Sequence, residues 1–135
     1  MGHPTIYPTG VTVYNPEKCW NGFTIFQALE VGAVLMNING RENKVWKGVH
    51  GFPNKIFPGG YLMTSRGSRD GRYGVQDGLD LVQIDWDGNV VWKFDRNEYI
   101  EDPGIPGRWM ARSHHDYQRE GSTTGYYAPG MEPKT

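Results

Sequence analysis

The sequence predicts an all-β protein, and three observations carry that prediction. Aromatic and β-branched clusters of four to six residues are separated by Gly, Pro, Asn and Asp, which is strand-and-turn punctuation. No window sustains apolar residues at i, i+3, i+4 and i+7, so no long helix is expected. A hairpin-like pattern occurs twice: Ile38 and Ile84 are 46 residues apart, and so are Trp46 and Trp92. A period of about 40–50 residues with four strands per unit is the sequence signature of a β-propeller blade. The expected architecture is therefore a partial β-propeller of about two four-stranded meander blades plus the start of a third.

The elements follow in order. Residues 1–31 are rich in Pro, Gly and Tyr and read as an irregular segment holding one short strand, Phe23 to Phe26. The partial propeller is expected over 32–135. Its first unit, 32–65, contains strands at 34–38, 44–46, 54–57 and 61–64. The Asn39-Gly40 pair turns the first hairpin, because both residues tolerate positive φ. The linker 66–78 includes Ser68-Arg69-Asp70-Gly71-Arg72-Tyr73-Gly74, too polar and too rich in glycine for a core strand. It reads as a loop, either solvated or lying over a site. The second unit, 79–121, opens with a strand at 79–84, turns at Asp87-Gly88 and returns at 90–94. Residues 95–108 read as a loop with one helical turn near 97–100, and 122–135 as a loop-rich tail. On this reading the chain stops within a blade. Its uncovered faces and unpaired edge favour self-association or a complementary chain that completes the propeller.

Charge and composition exclude several function classes. A net charge of −1, with Lys and Arg scattered, leaves no basic footprint for nucleic acid. No apolar run approaches the roughly 20 residues that cross a bilayer, so no membrane partner is expected. The first residues lack a basic and then apolar leader pattern, which points to a cytoplasmic location. The one cysteine, Cys19, forms no internal disulfide.

The candidate chemistry lies in Arg108 to Glu120. The stretch reads as a strand, on which alternation sends His114 and His115 to opposite faces. Imidazole changes protonation near neutral pH. Arg112 and Arg119 offer permanent planar donors for a sulfate, phosphate or carboxylate. Asp116 is placed to orient a neighbouring imidazole, which favours His115 as the working residue. Trp109 and Tyr117 are candidates to stack on an aromatic ligand, or to pack within a blade. The Cys/His spacings of a metal site are absent, so no metal is expected.

Three blocks carry a family resemblance: Gly10 to Gly22, Asp85 to Arg96, and His114-His115-Asp116-Tyr117-Gln118-Arg119-Glu120-Gly121 followed by Gly125-Tyr126-Tyr127-Ala128-Pro129-Gly130. Together they resemble the first third of bacterial arylsulfotransferases. That resemblance implies a six-bladed propeller that moves a sulfuryl group from a phenolic sulfate ester to a phenol through a sulfohistidine, with no nucleotide sulfate donor and no other cofactor. It implies His115 and His114 as catalytic residues and Arg112, Arg119 and Tyr117 as substrate-binding residues. The family's later histidine segments find no match here, so the isolated chain is expected to be incomplete as an enzyme. The alternative reading is a non-catalytic propeller portion, or a split subunit, acting as a binding module.

Overall fold

The computed structural model describes residues 11, 13–74 and 77–117. Among these residues, nine strands form three antiparallel sheets, as expected for an all-β chain, with a single four-residue helical turn, α1 (Gly71–Gly74). The first sheet is β1 (Phe23–Ala28), β2 (Gly32–Asn37) and β3 (Glu42–Lys47), in that order. The second is β4 (Lys55–Phe57), β5 (Tyr61–Thr64), β6 (Val82–Ile84) and β7 (Val90–Lys93). The third is the hairpin β8 (Glu98–Asp102) and β9 (Ile105–Met110). Every sheet is a meander, each strand lying beside the next in sequence.

The sheets divide the chain one hairpin away from the expected units. Strands β2 and β3 do not pair with β4 and β5; they pair back to β1, through a six-residue register from Phe23↔Asn37 to Ala28↔Gly32. The four-stranded sheet spans 55–93 and so crosses both expected units, 32–65 and 79–121. The segment 95–108 folds as the β8–β9 hairpin instead of a loop with a helical turn, with Tyr99 opposite Trp109 and Ile100 opposite Arg108.

The repeat is real in the backbone, but its period is 48. In the first hairpin Leu35 faces Lys44 and Met36 faces Glu42, so Asn43 is an extra, bulged residue. In the second, Gln83 faces Trp92 and Ile84 faces Val90, so Val91 is the extra residue. The turns agree bond for bond. Asn37 Oδ1 accepts from the backbone N–H groups of Asn39 and Arg41, at 3.0 Å each. Asp85 Oδ1 accepts from Asp87 at 3.0 Å and Asn89 at 2.8 Å. Gly40 and Gly88 then take the positive-φ position that such a three-residue loop needs. By this register Trp46 is equivalent to Phe94, and Trp92 to Lys44. The 46-residue match of the two tryptophans is two residues out of structural register.

Strand alternation builds the core. Ile25, Ala33, Leu35 and Trp46 project from one face of the first sheet. Ile56, Leu62, Val82 and Ile84 project from the facing side of the second, and Val49 closes the cluster. Trp46 is 4% exposed. Its indole N–H donates to the carbonyl of Asp85 at 3.2 Å, and its ring meets Trp86 edge-on at 5.4 Å. Met63 and Gln83 alternate to the opposite face of the second sheet and are also buried, so β5 and β6 are covered on both faces.

The expected result of Trp46→Ala is a loss of about 3–5 kcal/mol, typical of a large aromatic deleted from a core. Trp92→Ala, at the half-exposed position equivalent to Lys44, costs less than half as much. Urea unfolding of both variants checks this; equal losses would restore the 46-residue alignment.

Candidate functional site

The site is built on the edge of the second sheet. Leu79 and Gly78 precede β6, and the segment after β9 lies against them. Ala111 N donates to Leu79 O at 3.0 Å, Arg112 N to Gly78 O at 3.0 Å, and Gly78 N to Ser113 O at 2.8 Å. The approach is close enough that a Cβ on Gly78 would lie 2.3 Å from Ser113 Oγ. A side chain there would force Ser113 to shift, since its carbonyl oxygen also lies 3.1 Å away.

The histidines follow directly, and not on a strand. His115 has φ +60° and Arg112 φ +55°. Asp116 N donates to His114 O at 2.7 Å, closing a three-residue turn with His115 at its apex. Positive φ on a non-glycine residue costs on the order of 1–3 kcal/mol and persists where surrounding contacts impose it. The turn brings the two imidazoles together instead of sending them to opposite faces. Their centroids are 4.1 Å apart at 84°. Both side chains are exposed.

His114 lines an open cleft of about 610 Å³ with Arg69, Tyr73, Asp77, Phe94, Arg96, Glu98 and Arg112. Buried carboxylates hold its arginines. Asp77, 6% exposed, receives Arg69 Nη1 and Arg112 Nε on Oδ2, each at 3.3 Å. Arg69 forks onto Asp102, with Nε to Oδ2 at 2.9 Å and Nη2 to Oδ1. Glu98 accepts from Arg112 Nη1 at 3.1 Å at the exposed rim. The hydrogen bond from Arg69 holds the Asp102 carboxyl below its usual range. Its carboxylate and the hydrogen bond raise the already permanent charge of Arg69 further out of reach of titration. Three cations and two carboxylates face the cleft. Its capacity for an anion therefore rests on Arg96, on the exposed fork of Arg112, and on His114 when protonated.

The residues expected from the sequence separate. Arg112 and His114 share the cleft. His115 turns to Phe52, at 5.8 Å between centroids. Asp116 orients neither imidazole: Lys55 Nζ pairs with its Oδ1, and that hydrogen bond lowers its pKa. Tyr117 is half-buried away from the cleft. Its hydroxyl bonds the carbonyl of Met63 at 2.8 Å and also touches that of Pro53. Lys55 Nζ sits 5.2 Å from its ring centroid. Burial pushes the Tyr117 phenol well above its ordinary value. It acts as an anchor that holds the 111–117 segment to β5. Trp109 stays exposed against Tyr99 at 5.4 Å. Arg119 lies outside the described residues. Among the described residues, no group of three His, Cys, Asp or Glu side chains is placed to hold a metal. No helix among them is long and apolar enough to cross a membrane.

The 66–78 linker does border this site, through Arg69, Tyr73, Gly74 and Asp77. Its arginine-rich composition was the signal. Asp102 and Glu98 carried none, because they meet Arg69 and Arg112 only after β8 and β9 pair.

Tyr117→Phe leaves the two carbonyls without their shared donor and is expected to cost about 1–3 kcal/mol of stability. Denaturant unfolding measures this, and an unchanged midpoint would remove the anchor role. The acid limb is a second check. The pKa of Asp70 is lowered to about 2 by the Arg72 hydrogen bond, and Asp102 and Asp116 are lowered as well. Groups depressed on folding stabilise above the unfolded carboxylate value of about 3.9 and lose that contribution as pH falls through the folded value. Tm should hold between about pH 5 and 7 and drop between about pH 4 and 2; a flat Tm through the lower range would contradict the assignment. No family model, no curated protein and no solved structure matches this chain.

Proposed function

We propose that this chain is a portion of an aryl-sulfate sulfotransferase that works without a nucleotide sulfate donor, and that its three sheets are consecutive parts of a propeller. One observation carries the reading: an imidazole, His114, stands in a strained turn on the wall of an arginine-bearing cleft beside a second imidazole. The 48-residue backbone repeat and the stacking of the first sheet on the second support the propeller. The sequence resemblance supplies the reaction class.

The reaction balances in atoms and electrons. An imidazole nitrogen attacks sulfur, the N–S bond forms, the S–O bond to the donor breaks and the phenolate leaves. The acceptor phenol then gives up its proton and attacks sulfur, restoring the imidazole. A phenol with a pKa of about 10 leaves without much help from an acid, but its developing charge is stabilised by fixed donors. Arg96 and the outer fork of Arg112 would hold the sulfate oxygens, displacing Glu98 from an exposed pair that is worth little. His114 would take the phenolic proton. The resemblance puts the sulfated nucleophile in segments that this sequence does not match. Donor and acceptor are a phenolic sulfate and a phenol.

A second reading is a binding module that completes its sheets with another chain. It is favoured by the ion pairs that Arg69 and Arg112 already make with Asp102, Asp77 and Glu98.

The test is transfer from a chromogenic aryl sulfate to phenol by the longest natural protein that carries this chain. His114→Ala should lower the rate by roughly 10²-fold, the scale of a lost acid–base group. Unchanged rates in both the His114→Ala and His115→Ala variants would remove this block from catalysis. Equilibrium binding of the aryl sulfate with no turnover in the parent protein would select the binding module.

A further inference from the structure

A groove of about 410 Å³ runs along the open edge of the first sheet. Its near wall is β3 itself, from Lys44 to Lys47, continued by Gly48 and Val49. Its far wall belongs to the second sheet: Arg66, Ile84 and the Asp87-Gly88 turn. β3 is the last strand of its sheet, and half of the N–H and C=O groups of an edge strand point away from its one neighbour. Among the described residues, no backbone hydrogen bond outside the β2–β3 ladder reaches 44–47. The mouths of the groove are open, since a Cβ on Gly48 or Gly88 would meet nothing within 4 Å. The outward row of backbone groups thus faces a channel, not another strand. The charge of that channel is one-sided. Lys44, Lys47 and Arg66 border it against one carboxylate, Asp87, in a chain whose net charge is −1. Among the described residues neither lysine makes an ion pair. Lys44 Nζ rests instead over the rings of Trp46 and Trp86, at 5.8 and 5.3 Å from their centroids. Arg66 gives its backbone N–H and its Nε to Asp80, at 2.7 and 2.8 Å, and leaves both Nη groups uncommitted. The basic edge does not come with the repeated backbone: 48 residues on, the equivalents of Lys44 and Lys47 are Trp92 and Asp95.

From this geometry we infer that the groove binds an extended acidic segment of a partner protein, which adds to β3 as a fourth strand of the first sheet. Main-chain bonds to the edge of β3 supply affinity, and carboxylates meeting Lys44, Lys47 and Arg66 supply selectivity. The side chains of an added strand alternate. One set enters the space between the two sheets, over Val49 and Ile84 and beside Lys44 and Arg66; the other lies beside Lys47. The same charge disfavours a second copy of this chain as the occupant, because pairing β3 with β3 sets lysine against lysine. The groove shares no lining residue with the histidine cleft. The inference therefore stands or falls apart from the sulfotransferase reading.

The experiment titrates the full chain into a fluorescein-labelled short peptide of alternating glutamate and valine, read by anisotropy and mapped by amide nuclear magnetic resonance. Binding should saturate, with the amides of Lys44, Val45, Trp46, Lys47 and Arg66 shifting, and should weaken as salt is added. The same peptide with lysine in place of glutamate should not bind. The acidic peptide with alternate amides N-methylated keeps its charge but loses the main-chain donors of one edge, and should bind at least roughly tenfold more weakly. Lys44→Gln combined with Lys47→Gln changes two side chains outside the buried core and should weaken the acidic peptide roughly tenfold, the scale of two exposed ion pairs. Indifference to N-methylation, indifference to the double substitution, or shifts mapping to the edges of β1 or β7 would overturn the site. So would protection of the 44–47 amides by self-association at rising protein concentration, which would make a second copy the occupant.

Discussion

Everything described depends on Trp46 being buried between two sheets. Its ring fills the space between β3 and β6, and its one polar atom is satisfied by the Asp85 carbonyl at the far sheet's turn. A buried indole whose N–H lacked a partner would lose much of what its apolar surface contributes. Here the bond also fixes position, because it pins the first sheet to a turn that Asp85 holds rigid through its own side chain. The second sheet, covered on this side, then presents a fixed edge at Gly78 and Leu79. The segment 111–113 adds to that edge by backbone bonds, and the histidine turn follows within two residues. The position of His114 thus traces back, through the backbone bonds of 111–113 and the second sheet, to the core in which Trp46 packs.

Charge enters after this framework is set. Asp77 and Asp102 are buried with Arg69 in a fork that desolvates three charges at once. Such a cluster contributes little net stability against an apolar replacement, since desolvation offsets the attraction. What it does is select one geometry. Arg69 reaches Asp102 only when the β8–β9 hairpin sits where it does, and Arg112 reaches Asp77 only when the 111–113 segment lies along Gly78. The exposed Arg112–Glu98 pair differs: screening makes it weak, and it fixes little. The cleft thus has an inner arginine locked by two buried carboxylates and an outer one, Arg112, whose rim contact is weak.

The sequence showed the strands more clearly than it showed their partners. Seven of the nine strands were legible as aromatic and β-branched runs, because alternation is a local property. Pairing is not. Phe23 to Phe26 was recognisable as a strand, yet nothing local told that it completes the sheet of β2 and β3. The two tryptophans aligned at 46 because identical side chains dominate a comparison of residues. The backbone aligns at 48 because it is governed by the Asx bonds of Asn37 and Asp85 and by the bulges at Asn43 and Val91. The β8–β9 hairpin was missed since Pro103, Gly104, Pro106 and Gly107 read as loop. In the structure Pro103 and Gly104 fall in its turn, while Pro106 and Gly107 lie in a strand of a two-stranded sheet, where proline is tolerated at the edge. His114 and His115 were placed wrongly on a strand with their side chains on opposite faces; a turn through positive φ on histidine has no signature in composition.

The same repeat frames how two histidine-bearing loops come to lie side by side. The two hairpins are nearly one backbone with different side chains: Trp46 against Phe94, Lys44 against Trp92, Ile38 against Trp86. Each exchange follows surroundings rather than strand geometry, since a shared backbone tolerates many side chains where packing permits. The segments that leave those hairpins are freer still. After β3 the chain carries His50 and Phe52; after β7 it extends into a whole extra hairpin before reaching His114 and His115. Both excursions return to the second sheet, one bonding to Ser65 just past β5 and the other to Gly78 and Leu79 just before β6. Because β5 and β6 are neighbours, the two loops are brought side by side although more than sixty residues separate His50 from His114 in sequence. That is how Phe52 comes to lie 5.8 Å from His115: the scaffold supplies adjacency, and the loops, released from the demands of the core, carry the histidines.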